Sequence, residues 1–163
     1  MRFTFALTTS TLALASAAVG KETIYPPGGP GVIRVSLAGE SEFTGCLNAD
    51  GKWTVTDNCA QIFGNGQGGV SSDKGWLILD DDSAITTTSG TWSVAWIGTH
   101  DGENRDTKHL IGNIGIETGD VPHGGPTWYA AAIAVQDETV QVSGAKTEDA
   151  QEIYLSFIST FEE

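Results

Sequence analysis

The stretch Thr44–Phe63, TGCLNADGKWTVTDNCAQIF, carries both cysteines of a 163-residue chain and frames a turn followed by a β-prone run. Its reading decides between a metal knuckle, a redox site and a staple on a small sheet. Structural zinc draws a tetrahedral ligand set, commonly as two close pairs. Cys46 and Cys59 stand apart instead, with no histidine between them; His100, His109 and His123 lie far along the chain. A thioredoxin-like site needs a Cys-x-x-Cys at a helix start, which is absent. In an exported chain an even cysteine pair reads as a disulfide. The expectation is therefore a Cys46–Cys59 bond, with an Asp50-Gly51 turn bringing the chain back toward Cys59. Closing a loop of about 15 residues stabilises a fold by roughly 3 kcal/mol in the chain-entropy account.

Export is read from the start of the chain. MRFTFALTTSTLALASAAVG has Arg2, an apolar run from Phe3, and small residues Ala15, Ser16, Ala17 and Ala18 at its end. This is the pattern of a secretory signal peptide, assigned to residues 1–17. The run is interrupted by Thr8, Thr9, Ser10 and Thr11, falls short of the roughly 20 residues that span a bilayer, and is not exceeded later in the chain. The expected location is secreted, either extracellular or in the cell wall, with no membrane span. Loss of Arg2 with the leader moves the net charge from −13 to −14. Nucleic-acid binders draw most of their non-specific affinity from Lys and Arg, so a nucleic-acid partner is disfavoured. An acidic surface of this kind keeps an exported protein soluble.

Residues 18–31 include KETIYPPGGPG, whose adjacent prolines and Gly-Gly-Pro-Gly run argue against helix and regular ladder pairing; they read as a flexible arm. Residues 32–160 read as a single all-β domain, a small disulfide-stapled β-sandwich or barrel. Its expected strands are 32–37, 52–56, 60–63, 76–80, 91–97, 109–116, 127–135, 139–142 and 152–158. Gly, Asn, Asp and Ser separate them. In TWSVAWI, residues 91–97, alternation sets Trp92, Val94 and Trp96 on one face.

The pattern Gly45-Cys46-Leu47, Gly51-Lys52-Trp53 and Cys59-Ala60 with Phe63 following resembles the small β-rich domain at the C-terminus of fungal ribonucleases of the T2 family. IRVSL before it, SSDKG (71–75) and the run from Trp128 to Thr160 follow in similar order. The chain departs from that domain in having no cysteine beyond Cys59 and in a longer segment from Gly98 to Pro126. The resemblance implies a non-catalytic module standing apart from its enzyme. The two histidine motifs with which those enzymes cleave RNA by general acid–base chemistry are missing. The nearest echo is THDGENRDTKHL, where His100, Glu103, Lys108 and His109 supply the residue types of an endoribonuclease at the wrong spacing. A solvated loop is the simpler account of that segment.

Other chemistry is weaker still. Asp101, Glu103, Asn104 and Asp106, or the run Asp80–Asp82, offer oxygen ligands of the kind calcium uses, without the full calcium-loop pattern. No metal or other cofactor is expected. FGNGQGG (63–69) matches no phosphate-binding loop and reads as a hairpin. Among the five tryptophans, core packing is the default, and Trp76 and Trp128, next to Gly75 and Pro126 at strand starts, are the candidates for an exposed sugar-binding ring. The leading expectation is a secreted binding module for cell-wall polysaccharide. RNA cleavage through His100 and His109, and a secreted effector that binds a host or partner protein, are the alternatives.

Overall fold

The computed structural model of the protein describes residues 24–92, 96–99, 107–112 and 127–160. The leader, the rest of the arm, Val94, His100, Glu103 and the acidic positions 101–106 lie outside these residues. The first strands are β1 Ile24–Tyr25, β2 Gly28–Leu37, β3 Phe43–Leu47, β4 Trp53–Thr54, β5 Ile62–Asn65, β6 Val70–Ser72 and β7 Gly75–Leu79. They are followed by β8 Ile85–Thr88, β9 Trp96–Thr99, β10 Thr107–Gly112, β11 Trp128–Ala130, β12 Thr139–Val140, β13 Val142–Ser143 and β14 Gln151–Ser159. All are joined in one curled antiparallel sheet, a half-barrel, with no helix among the described residues. The fold class is all-β, as the strand pattern predicts.

Two long strands form the spine. β14 pairs with β2 from Ile153↔Leu37 to Ser159↔Gly31. On its other edge β2 serves two partners in succession, β5 through Gly28–Gly31 and β3 through Arg34–Ser36, with a register shift between Val35 and Ser36. β14 divides likewise, pairing β11 through Gln151–Ile153 and β10 through Ser156–Ile158. Long strands that change partners along their length, helped by a bulge, are how a sheet turns a corner and curls round its own core.

Period-two alternation then fills that core. Ile33 and Val35 of β2 face Phe157 and Leu155 across the ladder, and all four are fully or almost fully buried. Leu47, Trp53, Ile62, Leu77, Ile85 and Trp96 complete the interior from the flanking strands. Trp96 stacks on Trp128 with ring centroids 5.4 Å apart and donates its indole N–H to the Leu77 carbonyl at 2.9 Å.

Several expectations are corrected. The Gly-Gly-Pro-Gly run is not an arm: Gly28–Gly31 opens β2, and Ile24–Tyr25 pairs with β9. Proline is compatible here because Pro30 serves as an acceptor, its carbonyl taking the Thr160 N–H at 3.0 Å. The facing residue Gly64 allows the backbone of Pro27 to come so close that a Cβ at Gly64 would lie 2.5 Å from it. The run 127–135 is a strand only over Trp128–Ala130; beyond it Ile133 and Val135 are exposed on either side of buried Ala134, and Asp137 takes a positive φ. β3, β6 and β8 were not anticipated as strands. The run 139–142 divides at Gln141, whose amide donates to the Ile85 carbonyl at 2.6 Å.

The disulfide joins Cys46 to Cys59. The β3–β4 hairpin beneath it is closed by Asn48, whose Oδ1 accepts the backbone N–H of Asp50 and of Lys52 at 3.0 Å each. Gly51 turns there at φ 79°, and a Cβ would strike the Ile85 side chain. Among the described residues no helix is long and apolar enough to cross a membrane.

Two stability predictions follow from this geometry. Replacing both cysteines by alanine is expected to cost about 3 kcal/mol in denaturant unfolding; a loss below roughly 1 kcal/mol would show that the bond constrains little. Gly51→Ala combines an unfavourable φ with a clash and is expected to cost about 1–3 kcal/mol by the same measurement.

Candidate functional site

The face of the sheet opposite the core carries two patches, both reached through β2. The first is built on β5, β6, β7 and β8. Cross-strand register runs Pro30↔Phe63, Phe63↔Ser71, Ser71↔Trp76 and Trp76↔Thr88. Directly opposed residues of antiparallel strands project to the same side. Ile62 and Leu77, the chain neighbours of Phe63 and Trp76, point into the core. Phe63 (53 % exposed) and half-buried Trp76 therefore lie on the outer side, two strand spacings or about 10 Å apart. Trp92 lies against Trp76 with ring centroids 6.4 Å apart. Thr86 and Thr88 of β8 bring hydroxyls alongside, opposite Ile78 and Trp76.

Local sequence holds the Trp76 ring in place. Asn65 closes the loop after β5 by accepting the N–H groups of Gln67 and Gly69, each at 2.8 Å. Gly69 leaves the space the indole occupies; a Cβ there would come within 2.9 Å of the ring. FGNGQGG is thus the hairpin its composition suggests, and it forms a bed for Trp76.

The second patch is a groove of about 770 Å³ between β2, β3, β4 and the segments 55–58 and 136–137. Arg34 lines it, flanked in sequence by buried Ile33 and Val35 and so directed to the outer face. Register carries a row from Arg34 to Cys46 and on to Thr54. The disulfide fastens Cys59, and with it the wall residues Thr56 and Asn58, to that row. A parallel bridge from Val55 to Gln136 holds the opposite wall. Phe43, 47 % exposed, forms part of the lining. Among the described residues the ion pairs are Lys74–Asp50 and Lys146–Glu152, and the Arg34 side chain has neither an ion-pair nor a hydrogen-bond partner there.

The sequence-derived site residues fare unequally. Trp76 lies in the outer strip. Trp128 does not: it is 3 % exposed, because it registers with Ile153 and so shares that residue's core-facing side, where it stacks on Trp96. Trp92 and Trp96, expected together, are separated, with Trp96 in the core and Trp92 against Trp76. Of the residues weighed for RNA cleavage, His100 and Glu103 lie outside the described residues. Lys108 and His109 are in β10, registered with Phe157 and Ser156, and Ser156 registers in turn with Arg34.

Asp80, weighed as a calcium ligand, instead accepts the backbone N–H groups of Asp82 and Ala84 at 3.1 and 2.8 Å and shapes the β7–β8 turn. The pKa of Lys146 is raised, first by its hydrogen bond to Glu152 and then by that residue's charge. It lines neither patch.

Sequence reasoning missed Phe63, Trp92 and Arg34. For Phe63 and Arg34 the signal was present, since each neighbours core-facing apolar residues in a strand and alternation directs it outward. Comparison of the chain with family models, curated proteins and solved structures found no match in any of the three. The supported description of the chain is thus an all-β, disulfide-stapled half-barrel with an aromatic strip and a polar groove on its outer face.

Proposed function

We propose that the chain is a secreted, non-catalytic binding module for cell-wall polysaccharide, with Phe63, Trp76 and Trp92 as its platform. The observation that carries this reading is the outer row of β5–β8, where aromatic rings alternate with the hydroxyl residues Ser71 and Thr88. Sugar rings offer an apolar face and a rim of hydroxyls, and such a strip meets both. The spacing of Phe63 and Trp76 is close to the length of one disaccharide unit of an extended chain, so alternate sugars meet a ring. A strongly acidic chain suits an uncharged polymer better than a nucleic acid. The leader-like start and the disulfide support export, and the resemblance of Gly45–Phe63 to the C-terminal domain of T2 ribonucleases supports a module that binds rather than cuts.

Covering one aromatic face removes roughly 60 Å² of apolar surface and contributes about 1.5 kcal/mol, which is about tenfold in affinity. Trp76→Ala is accordingly expected to lower retention on insoluble chitin, β-glucan or cellulose at least tenfold in a depletion assay, with the melting temperature held near the parent value. Phe63→Ala should act in the same direction. Trp128→Ala is expected to lose about 3–5 kcal/mol of stability instead. Equal retention of the parent and the Trp76→Ala, Phe63→Ala double variant would sink the platform.

A further inference from the structure

We propose that the Arg34 groove is a second ligand site and that it takes a carboxylate-bearing sugar, a hexuronic acid unit, with Arg34 binding the carboxylate. The assignment rests on reading the chain as a saccharide-binding module, but on a different patch from the strip. Its starting point is a guanidinium with no partner among the described residues, in a chain whose acids far outnumber its bases. Arg34 is half-buried at a central position of the sheet, registered with Ser156 on one side and Cys46 on the other. Exposed arginines in such a chain find carboxylates readily. This one is held on a stiff strand in a groove and has none among the described residues.

A guanidinium presents a planar fork of donors that matches a carboxylate in bidentate fashion. The rest of the lining is of a kind that recognises sugar hydroxyls: Thr54, Thr56, Asn58 and Gln136 on the floor and walls, with the Phe43 ring available to an apolar sugar face. Asp57 and Asp137 also line the groove, and both are exposed. They accept hydrogen bonds from hydroxyls, but they oppose an anion. That opposition acts through solvent and is screened over about 8 Å at physiological salt, whereas the Arg34 contact is direct and charge-assisted. Contact therefore outweighs the rim, and the net selectivity is for a carboxylate displayed among hydroxyls. The volume, about 770 Å³, is in the range of small-ligand sites.

The test is calorimetric titration of the full mature chain with trigalacturonic acid and with its methyl ester, which keeps linkage and stereochemistry and removes the charge. The acid is expected to bind at least tenfold more tightly than the ester. Arg34→Gln should reduce that preference to under twofold and Arg34→Lys should keep part of it, while Trp76→Ala leaves it unchanged. Circular dichroism and melting temperature establish that the variants fold. Equal binding of acid and ester, no binding of either, or an Arg34→Gln variant that keeps the preference would overturn the proposal. So would tighter binding of an acetylated tripeptide with a free carboxylate, compared with its amide and with the uronide, since that assigns the groove to a peptide terminus. Polymer retention lost in Trp76→Ala without any uronide preference leaves the strip standing and overturns the groove assignment. Uronide preference without polymer retention supports the groove and sinks the strip.

Discussion

The ladder between β2 and β14 is the constraint on which the rest of the structure depends. Each strand is long enough to serve different partners at its two ends, so one continuous backbone decides where the sheet curls, which residues are covered and which remain on the outer face. Ile33, Val35, Leu155 and Phe157 lock its register, because a one-residue slip would expose all four and bury Arg34. Arg34 is on the surface by the same alternation that makes its neighbours core. The groove and the hydrophobic interior are two sides of one register.

The staple acts locally on this frame. Cys46 is an interior position of β3, whereas Cys59 belongs to a segment without ladder partners; joining them holds the Thr56–Asn58 wall against the sheet. The neighbouring hairpin turn is tied down independently. Ser72 donates to the Ala49 carbonyl at 2.7 Å, and Lys74 pairs with Asp50 at 3.0 Å. The sequence pieces Ala49-Asp50 and Ser71–Gly75, separated along the chain, thus meet at one turn. Exposed ion pairs contribute little, so the bond from Ser72 carries more of that contact, and the close approach of Gly51 to Ile85 holds the turn against β8.

Much of the fold was legible because it rests on local signals. The even cysteine pair gave the bond, and β-prone runs bounded by turn residues gave β7 and β14 nearly in place and the second part of β2, 32–37. Gly51 and Asn65 turn where their residue types suggest. The errors come from effects that only neighbours decide. Gly28-Gly29-Pro30-Gly31 discourages a ladder by propensity, yet enters one because Gly64 on the facing strand lets the backbones approach. Trp128 has the local marks of a strand start but no local mark of which side it faces; that is settled by Ile153, far along the chain. The strip was half legible, through Trp76, and completed only when register set Phe63 beside it.

The β2–β14 pairing also governs when the structure can form. It joins residues 31–37 to residues 153–159, so the spine of the sheet closes only after nearly the whole described chain is present. Contacts of such separation make for slow folding, because the entropy of closing the intervening chain is lost before the ladder compensates it. Until then β2 has an open edge along its full length, a surface other strands can capture. A chain built this way closes in order of loop length, the short loop between Cys46 and Cys59 able to form early and the long one between β2 and β14 last.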